Sequence, residues 1–151
     1  MLLDTNSVFM KQHFTKQKGS LAEQAVILQL LKRDFHVSVP LGDFLPYDLI
    51  VDNGSRLLKI QVKGAWWDQG KENYVVDNRR TKTNRRVMRR SNYQDADFDF
   101  AILYIPDVDI SYIMPSPVFN AYGSEIHLVE SDKRQRKPRS AQFREAWQLL
   151  T

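Results

Sequence analysis

The stretch from Pro46 to Lys63 constrains this chain more than any other. Pro46 to Asp52 reads as a strand, and Asn53-Gly54, a strong signal for a two-residue hairpin turn, follows it. Leu58, Ile60 and Val62 then alternate with Lys59, Gln61 and Lys63, the pattern of a half-buried strand with one polar face. A two-residue loop pairs Asp52 with Ser55 and, counting back, Asp48 with Lys59. Directly opposed residues share a face, and side chains alternate with period two. Asp48, Lys59, Gln61 and Lys63 are therefore expected on one side, with Ile60 and Val62 joining Leu49 and Val51 in the core. Gln61 becomes the diagonal neighbour of Asp48, roughly 7–8 Å away between backbones. A loop one residue longer would break this parity.

A carboxylate, an amide carbonyl and an ammonium brought together in this way suit phosphodiester hydrolysis. The carboxylate and the carbonyl can hold a divalent cation. The cation acidifies a water and neutralises phosphate charge. The lysine can orient that water or stabilise developing negative charge. The chain has no cysteine, which excludes thiolate metal sites and disulfides. His13, His36 and His127 are scattered without ligand spacing and read as structural. Oxygen donors remain, which points to a hard ion such as Mg2+.

The 151 residues have the length of one domain, with no repeat or linker to divide them. Ser20-Leu21-Ala22-Glu23 carries a capping-box pattern, so a helix is expected to open there. Its apolar face would hold Leu21, Ala25, Leu28 and Phe35, widened by Val26, Leu30 and Leu31. Further strands are expected over residues 36–39, 73–76, 98–105, 110–114 and 125–129. A last helix is expected over 141–150, with Ser140 as N-cap. The sum is an α/β fold with a central sheet. No apolar run approaches the roughly 18 residues of a membrane span. The N-terminus shows no apolar signal core, so the expectation is a cytoplasmic protein with no membrane partner.

Charge is segregated along the chain. Asn78 to Arg90 holds Arg79, Arg80, Lys82, Arg85, Arg86, Arg89 and Arg90 without one acid. Ser131 to Ser140 holds Lys133, Arg134, Arg136, Lys137 and Arg139 with Asp132 alone opposing them. Elsewhere 10 basic residues face 17 acidic ones, a net −7. Such segregation suits a polyanionic partner. The seven cations of 78–90, together with Lys133 and Arg134, are the candidate DNA contacts. A solvated loop for the first segment and a connector to the last helix for the second are the plainer readings. Trp66 and Trp67 read as core or subunit-interface packing.

Pro46-Tyr47-Asp48 followed by Gln61-Val62-Lys63 on the next strand resembles the PD-(D/E)XK nuclease signature. Glu23 lies where that superfamily places an upstream helical acid. Leu45 to Asp52, Ile60 to Gly64, Asp97 to Phe100 and Tyr104 to Asp107 are similar to its small-nuclease branch, and the resemblance is best over residues 19–117. It implies a restriction-endonuclease-like core, a central mixed β-sheet flanked by helices, with an Arg-rich insert at 78–90 and a basic C-terminal segment at 131–140. It also implies Glu23, Asp48, Gln61 and Lys63 as the catalytic set, with Asp48, Gln61 and Glu23 holding Mg2+ and Mn2+ able to substitute. The pattern is closest to homing endonucleases encoded in bacterial tRNA-gene group I introns. That implies a long specific site in double-stranded DNA, a homodimer or homotetramer, and association with the nucleoid while bound.

Gln61 stands where the family usually has Asp or Glu. This keeps open a catalytically inactive DNA-binding module, beside a Holliday junction resolvase-like nuclease of the same fold. Glu23 alone is fully explained as the capping partner of Ser20, and Asp48 and Lys63 singly as surface residues. Together they favour a metal site.

Overall fold

The computed structural model describes residues 5–83, 88–132 and 136–151, and the side chains of 16–80, 90–132 and 136–151. In chain order the elements are α1 (Thr5–Leu31), β1 (His36–Ser38), β2 (Leu49–Asp52), β3 (Leu57–Gly64), β4 (Trp66–Asp68), β5 (Asn73–Asp77), β6 (Arg79–Thr83), β7 (Met88–Asn92), β8 (Phe100–Ile105), β9 (Ile110–Pro115), α2 (Ser116–Asn120) and β10 (Glu125–Leu128). Two short 3-10 helices, Ala141–Phe143 and Trp147–Leu150, complete the described chain. The main sheet runs β1-β2-β3-β8-β9, with β3 and β8 parallel and the other pairs antiparallel. It is mixed, as expected. A second sheet, β10-β5-β4, and a two-stranded hairpin, β6-β7, accompany it.

β8 reads Phe-Ala-Ile-Leu-Tyr-Ile, and all but Tyr104 are buried. An apolar run without alternation is what a strand covered on both faces requires. One cluster packs Val26 and Leu30 of α1 against Leu49, Val51, Leu58, Ile60, Val62, Ile102 and Ile113. The other packs Ala101, Leu103, Tyr112 and Met114 against Phe98, Phe119 and the apolar residues Val76, Ile126 and Leu128 of the second sheet.

The β2–β3 loop differs from the sequence expectation. Asp52 pairs with Leu57, not Ser55, so the connection is four residues long. The cause is Asn53, whose Oδ1 accepts from Ser55 N at 3.0 Å, Ser55 Oγ at 2.9 Å and Arg56 N at 3.0 Å. Only Gly54 of this loop takes a positive φ, +88°, whereas a type I′ turn needs two. The loop is two residues longer than expected, an even number, so the parity of faces survives. Ile60 and Val62 do point into the core.

Three helical expectations are corrected. α1 spans Thr5–Leu31 and so runs through Ser20, which is not its N-cap, and the capping-box reading of Glu23 falls. Among the described side chains of α1, Ala22, Val26 and Leu30 are buried, the last two as expected, whereas Leu21, Leu28 and Leu31 are exposed. The spacing of four keeps the small Ala22 against the sheet, and Leu21 and Leu28 lie on another face of the helix. The helix expected at 141–150 is broken into the two 3-10 pieces. Between them Arg144 bridges to Tyr112 and Glu145 takes φ +51°. Glu145 N also donates to Ser111 O at 2.7 Å, so sheet contact outcompetes local helix there. Ser140 makes no capping hydrogen bond. Trp66 and Trp67 are 43% and 49% exposed, so they are not core residues. The basic segment 78–90 contributes a paired hairpin, with Arg79 opposite Asn92 and Lys82 opposite Arg89, where a loop was one reading. Among the described residues no helix is long and apolar enough to cross a membrane.

Candidate active site

With the four-residue loop, β2 and β3 are in register so that Leu49 opposes Ile60, and Asp48 N donates to Ile60 O at 2.8 Å. Asp48 therefore lies beside Gln61, closer than the diagonal placement expected from sequence. Gln61 Nε2 donates to Asp48 Oδ2 at 2.6 Å and to Val62 O at 3.1 Å. The backbone N–H of Val62 also donates to Asp48 Oδ2, at 2.8 Å. Both protons of the Gln61 amide thus face acceptors, which sets its orientation. Asp48 Oδ1 and Gln61 Oε1 stand outside this network.

Glu23 reaches the same place from α1. Helix and strand approach closely here: a Cβ on Gly64 would lie 3.6 Å from the Cβ of Ala22. The next residue, Glu23, is half-buried, and its carboxyl is pushed up to about 6 by burial and by the charge of Asp48. Burial raises Asp48 as well, opposed by the Val62 N–H and by the charge of Lys63. Two carboxyls that burial raises, one of them raised further by the charge of the other, are suited to a cation.

Lys63 shares the polar face of β3 and is mostly buried. Its Nζ donates to the backbone carbonyl of Arg79 at 2.9 Å and lies 5.1 Å from the centroid of the Tyr93 ring. Burial pushes its pKa down, opposed by the charges of Asp77 and Asp48. The four residues expected to form a site are thus brought together, Asp48 and Gln61 by a direct hydrogen bond and Glu23 and Lys63 within reach of the Asp48 charge. Lys59, on the same face, is turned away: its Nζ donates to Ala96 O at 3.0 Å and lies over the Tyr47 ring.

Two carboxylates and one neutral amide oxygen could hold a cation here. Among the described residues no three or more His, Cys, Asp or Glu side chains form a metal-holding group. Hard oxygen donors in this number suit a hard divalent cation that keeps several waters and completes its shell from substrate phosphate.

The candidate DNA contacts divide. Arg79 Nε donates to Asp77 Oδ1 at 3.2 Å, Arg80 donates to Phe44 O at 2.9 Å, and Arg90 lies 3.8 Å from Asp77 Oδ2. The side chains of Lys82, Arg85, Arg86 and Arg89, and Lys133 and Arg134, lie outside the described residues. Two neighbours of Lys63, Asp77 and Tyr93, were not anticipated. An Asp two residues before Arg79 is a local turn signal that could have marked the first, whereas nothing local marks Tyr93.

A family model described as PD-(D/E)XK endonuclease matches residues 13–150. The structure of a bacterial homing endonuclease, I-Ssp6803I, is similar to this chain with a TM-score of 0.84 and 56% sequence identity. The alignment covers 90% of this chain and 92% of that one. No curated protein matches the chain.

Proposed function

The chain belongs to the PD-(D/E)XK endonuclease family, and from that premise we propose that it is a homing-type DNA endonuclease. It hydrolyses phosphodiester bonds of double-stranded DNA at a long specific site, with Mg2+ as cofactor and Mn2+ able to substitute. The observation that carries this reading is the join between β2 and β3. There one oxygen of Asp48 is tied down by Val62 N–H and Gln61, while its other oxygen and the Gln61 carbonyl stay outside the network. Similarity over most of the chain to a bacterial homing endonuclease supports the homing type.

Asp48, Gln61 and Glu23 would hold the cation, which supplies an acidified water and neutralises charge on the scissile phosphate. The hydrogen bonds on Asp48 Oδ2 orient its carboxylate before DNA arrives. Glu23 supplies its charge once the pH exceeds about 6. The Lys63 ammonium would stabilise negative charge developing on the phosphate. The basic hairpin meets the backbone on either side, neutralising phosphates and setting the position of the duplex. One subunit carries one such site, so cutting both strands calls for at least a homodimer, and a homotetramer satisfies the same need. In a cell such a protein would work in the cytoplasm, on the nucleoid while bound.

The test is cleavage of mixed plasmid and genomic DNA with Mg2+, beside EDTA and a Lys63→Ala protein. Discrete fragments that require both Mg2+ and Lys63 are expected, and their ends map the target. Tight binding without cutting, on DNA known to contain the target, would favour an inactive binding module. Preference for four-way junctions over duplex would favour a resolvase.

A further inference from the structure

Asp77 ends β5 at the root of the basic hairpin. Its Oδ1 accepts from the backbone N–H of Arg79 at 2.9 Å and from Arg79 Nε at 3.2 Å, and its Oδ2 faces Arg90 at 3.8 Å. One carboxylate therefore grips both strands of the hairpin where they leave the body of the protein. Burial would raise its pKa, but the two bonds from Arg79 and the charges of Arg79 and Arg90 outweigh that and hold it below the usual value. Asp77 is thus ionised at neutral pH.

The same turn holds the backbone at Arg79, whose N–H is tied to Asp77 and whose carbonyl, one peptide unit on, accepts from Lys63 Nζ at 2.9 Å. The other side of the Lys63 head rests over Tyr93, the residue after β7. The ammonium thus sits between the two roots of the hairpin, one from its entry and one from its exit. A lysine stem is flexible, so this seat, more than the stem, sets where the charge lies. Tyr93 is itself held by edge contacts with Phe98 at 5.2 Å and Phe119 at 6.1 Å between ring centroids.

We propose that Asp77 is a positioning residue for cleavage: by tying down residue Arg79 through its backbone N–H and its side chain, it fixes the seat of Lys63 on the Arg79 carbonyl and couples the DNA-gripping hairpin to the reaction centre. This rests on the reading of Lys63 given above. A second consequence follows from charge. Asp77 occupies Arg79 and Arg90, so removing it frees two cations for phosphates. Binding then holds or tightens while cutting slows, whereas a merely structural residue would weaken both together.

The experiment compares Asp77→Ala, Asp77→Asn and Lys63→Ala on the DNA fragment mapped above. It measures the single-turnover cutting rate at saturating enzyme, and the Kd separately in EDTA. Asn keeps an oxygen to accept the Arg79 N–H, and Ala does not. Misplacing a reacting group by about 1 Å costs up to roughly a hundredfold, so Asp77→Ala should cut at least about tenfold slower with Kd unchanged or tighter. Asp77→Asn should retain most of the rate, with Kd tighter. If Asp77→Ala does not fold, Asp77→Val, which suits the strand end and has no acceptor, replaces it and should be slowed as expected for Ala. Wild-type cutting by Ala or Val while Lys63→Ala is inactive would overturn the proposal. So would a loss of affinity in proportion to rate, or Asn as slow as Ala. Normal cutting by Lys63→Ala would instead refute the reading of the site itself.

Discussion

Gln61→Glu places a third carboxylate where an amide now donates to Asp48 at 2.6 Å. Two effects add in the metal-free protein. The lost hydrogen bond to a charged acceptor is worth about 1.5–3 kcal/mol. Two carboxylates with charge centres ~4 Å apart repel by about 4 kcal/mol at an effective dielectric constant near 20. The site relieves part of this by retaining a proton, which leaves a net destabilisation of about 3 kcal/mol, or roughly 6–12 °C in Tm at this chain length. The retained proton has a raised pKa, so its relief is present at low pH and lost as pH rises. The deficit should therefore be larger at pH 8 than at pH 5. A divalent cation reverses the balance, because a third anionic ligand strengthens its binding, and ligand bound to the native state raises stability. Thermal unfolding of wild type and variant in EDTA and over a Mg2+ series checks this. Equal Tm values in EDTA, together with equal Mg2+ shifts, would refute the placement of Gln61 beside Asp48 at a cation site.

Asp48→Asn should lower cutting by more than about a hundredfold, since it removes the central anionic ligand, while gel-shift affinity for DNA stays close to wild type. An equal loss of binding would argue against the site. For Glu23 the folded pKa of about 6 exceeds the ordinary 4.5. Its contribution to stability is therefore full below 4.5 and lost as pH rises through about 6. In EDTA the Tm should fall across that window, and Glu23→Gln should flatten the fall. A wild-type curve already flat there would contradict the burial of Glu23 beside Asp48. Cutting with Mg2+ should rise across the same window, because the cation requires both carboxylates ionised. DNA affinity should drop steeply with salt, and Arg80→Ala, which removes a cation held by a carbonyl and not by Asp77, should reduce the slope of log K against log salt by about 1. An unchanged slope would remove Arg80 from the phosphate contacts.

Much of the site was legible in the chain because period-two alternation is a local property of extended backbone. Any even change in loop length leaves Asp48, Gln61 and Lys63 on one face, so the misjudged turn did no harm to the face assignment. The partner of Asp48 was not legible. The Asn53 side chain closes a four-residue loop, and that turned Gln61 from a diagonal neighbour into a contact. Glu23 shows the opposite failure. Its spacing from Ser20 satisfied a capping box, yet α1 passes straight through Ser20, and the residue owes its place to the close packing of Ala22 on Gly64. The buried face of α1 was misjudged for the same reason. Leucines mark an apolar stripe, but the sheet beneath selects the stripe whose small residue permits close approach.

The sequence by itself thus determined the chemistry of the candidate site, the strand that carries it and the segregation of positive charge, since all three are written in residue type and local period. Tertiary structure alone decided the register across the β2–β3 loop, the arrival of Glu23, the seat of Lys63 between Arg79 and Tyr93, and the ties from Asp77. Each depends on the meeting of segments 13 to 42 residues apart, or on a competition between alternative local contacts. The free energy of such a meeting resides in the partner surface and not in either segment.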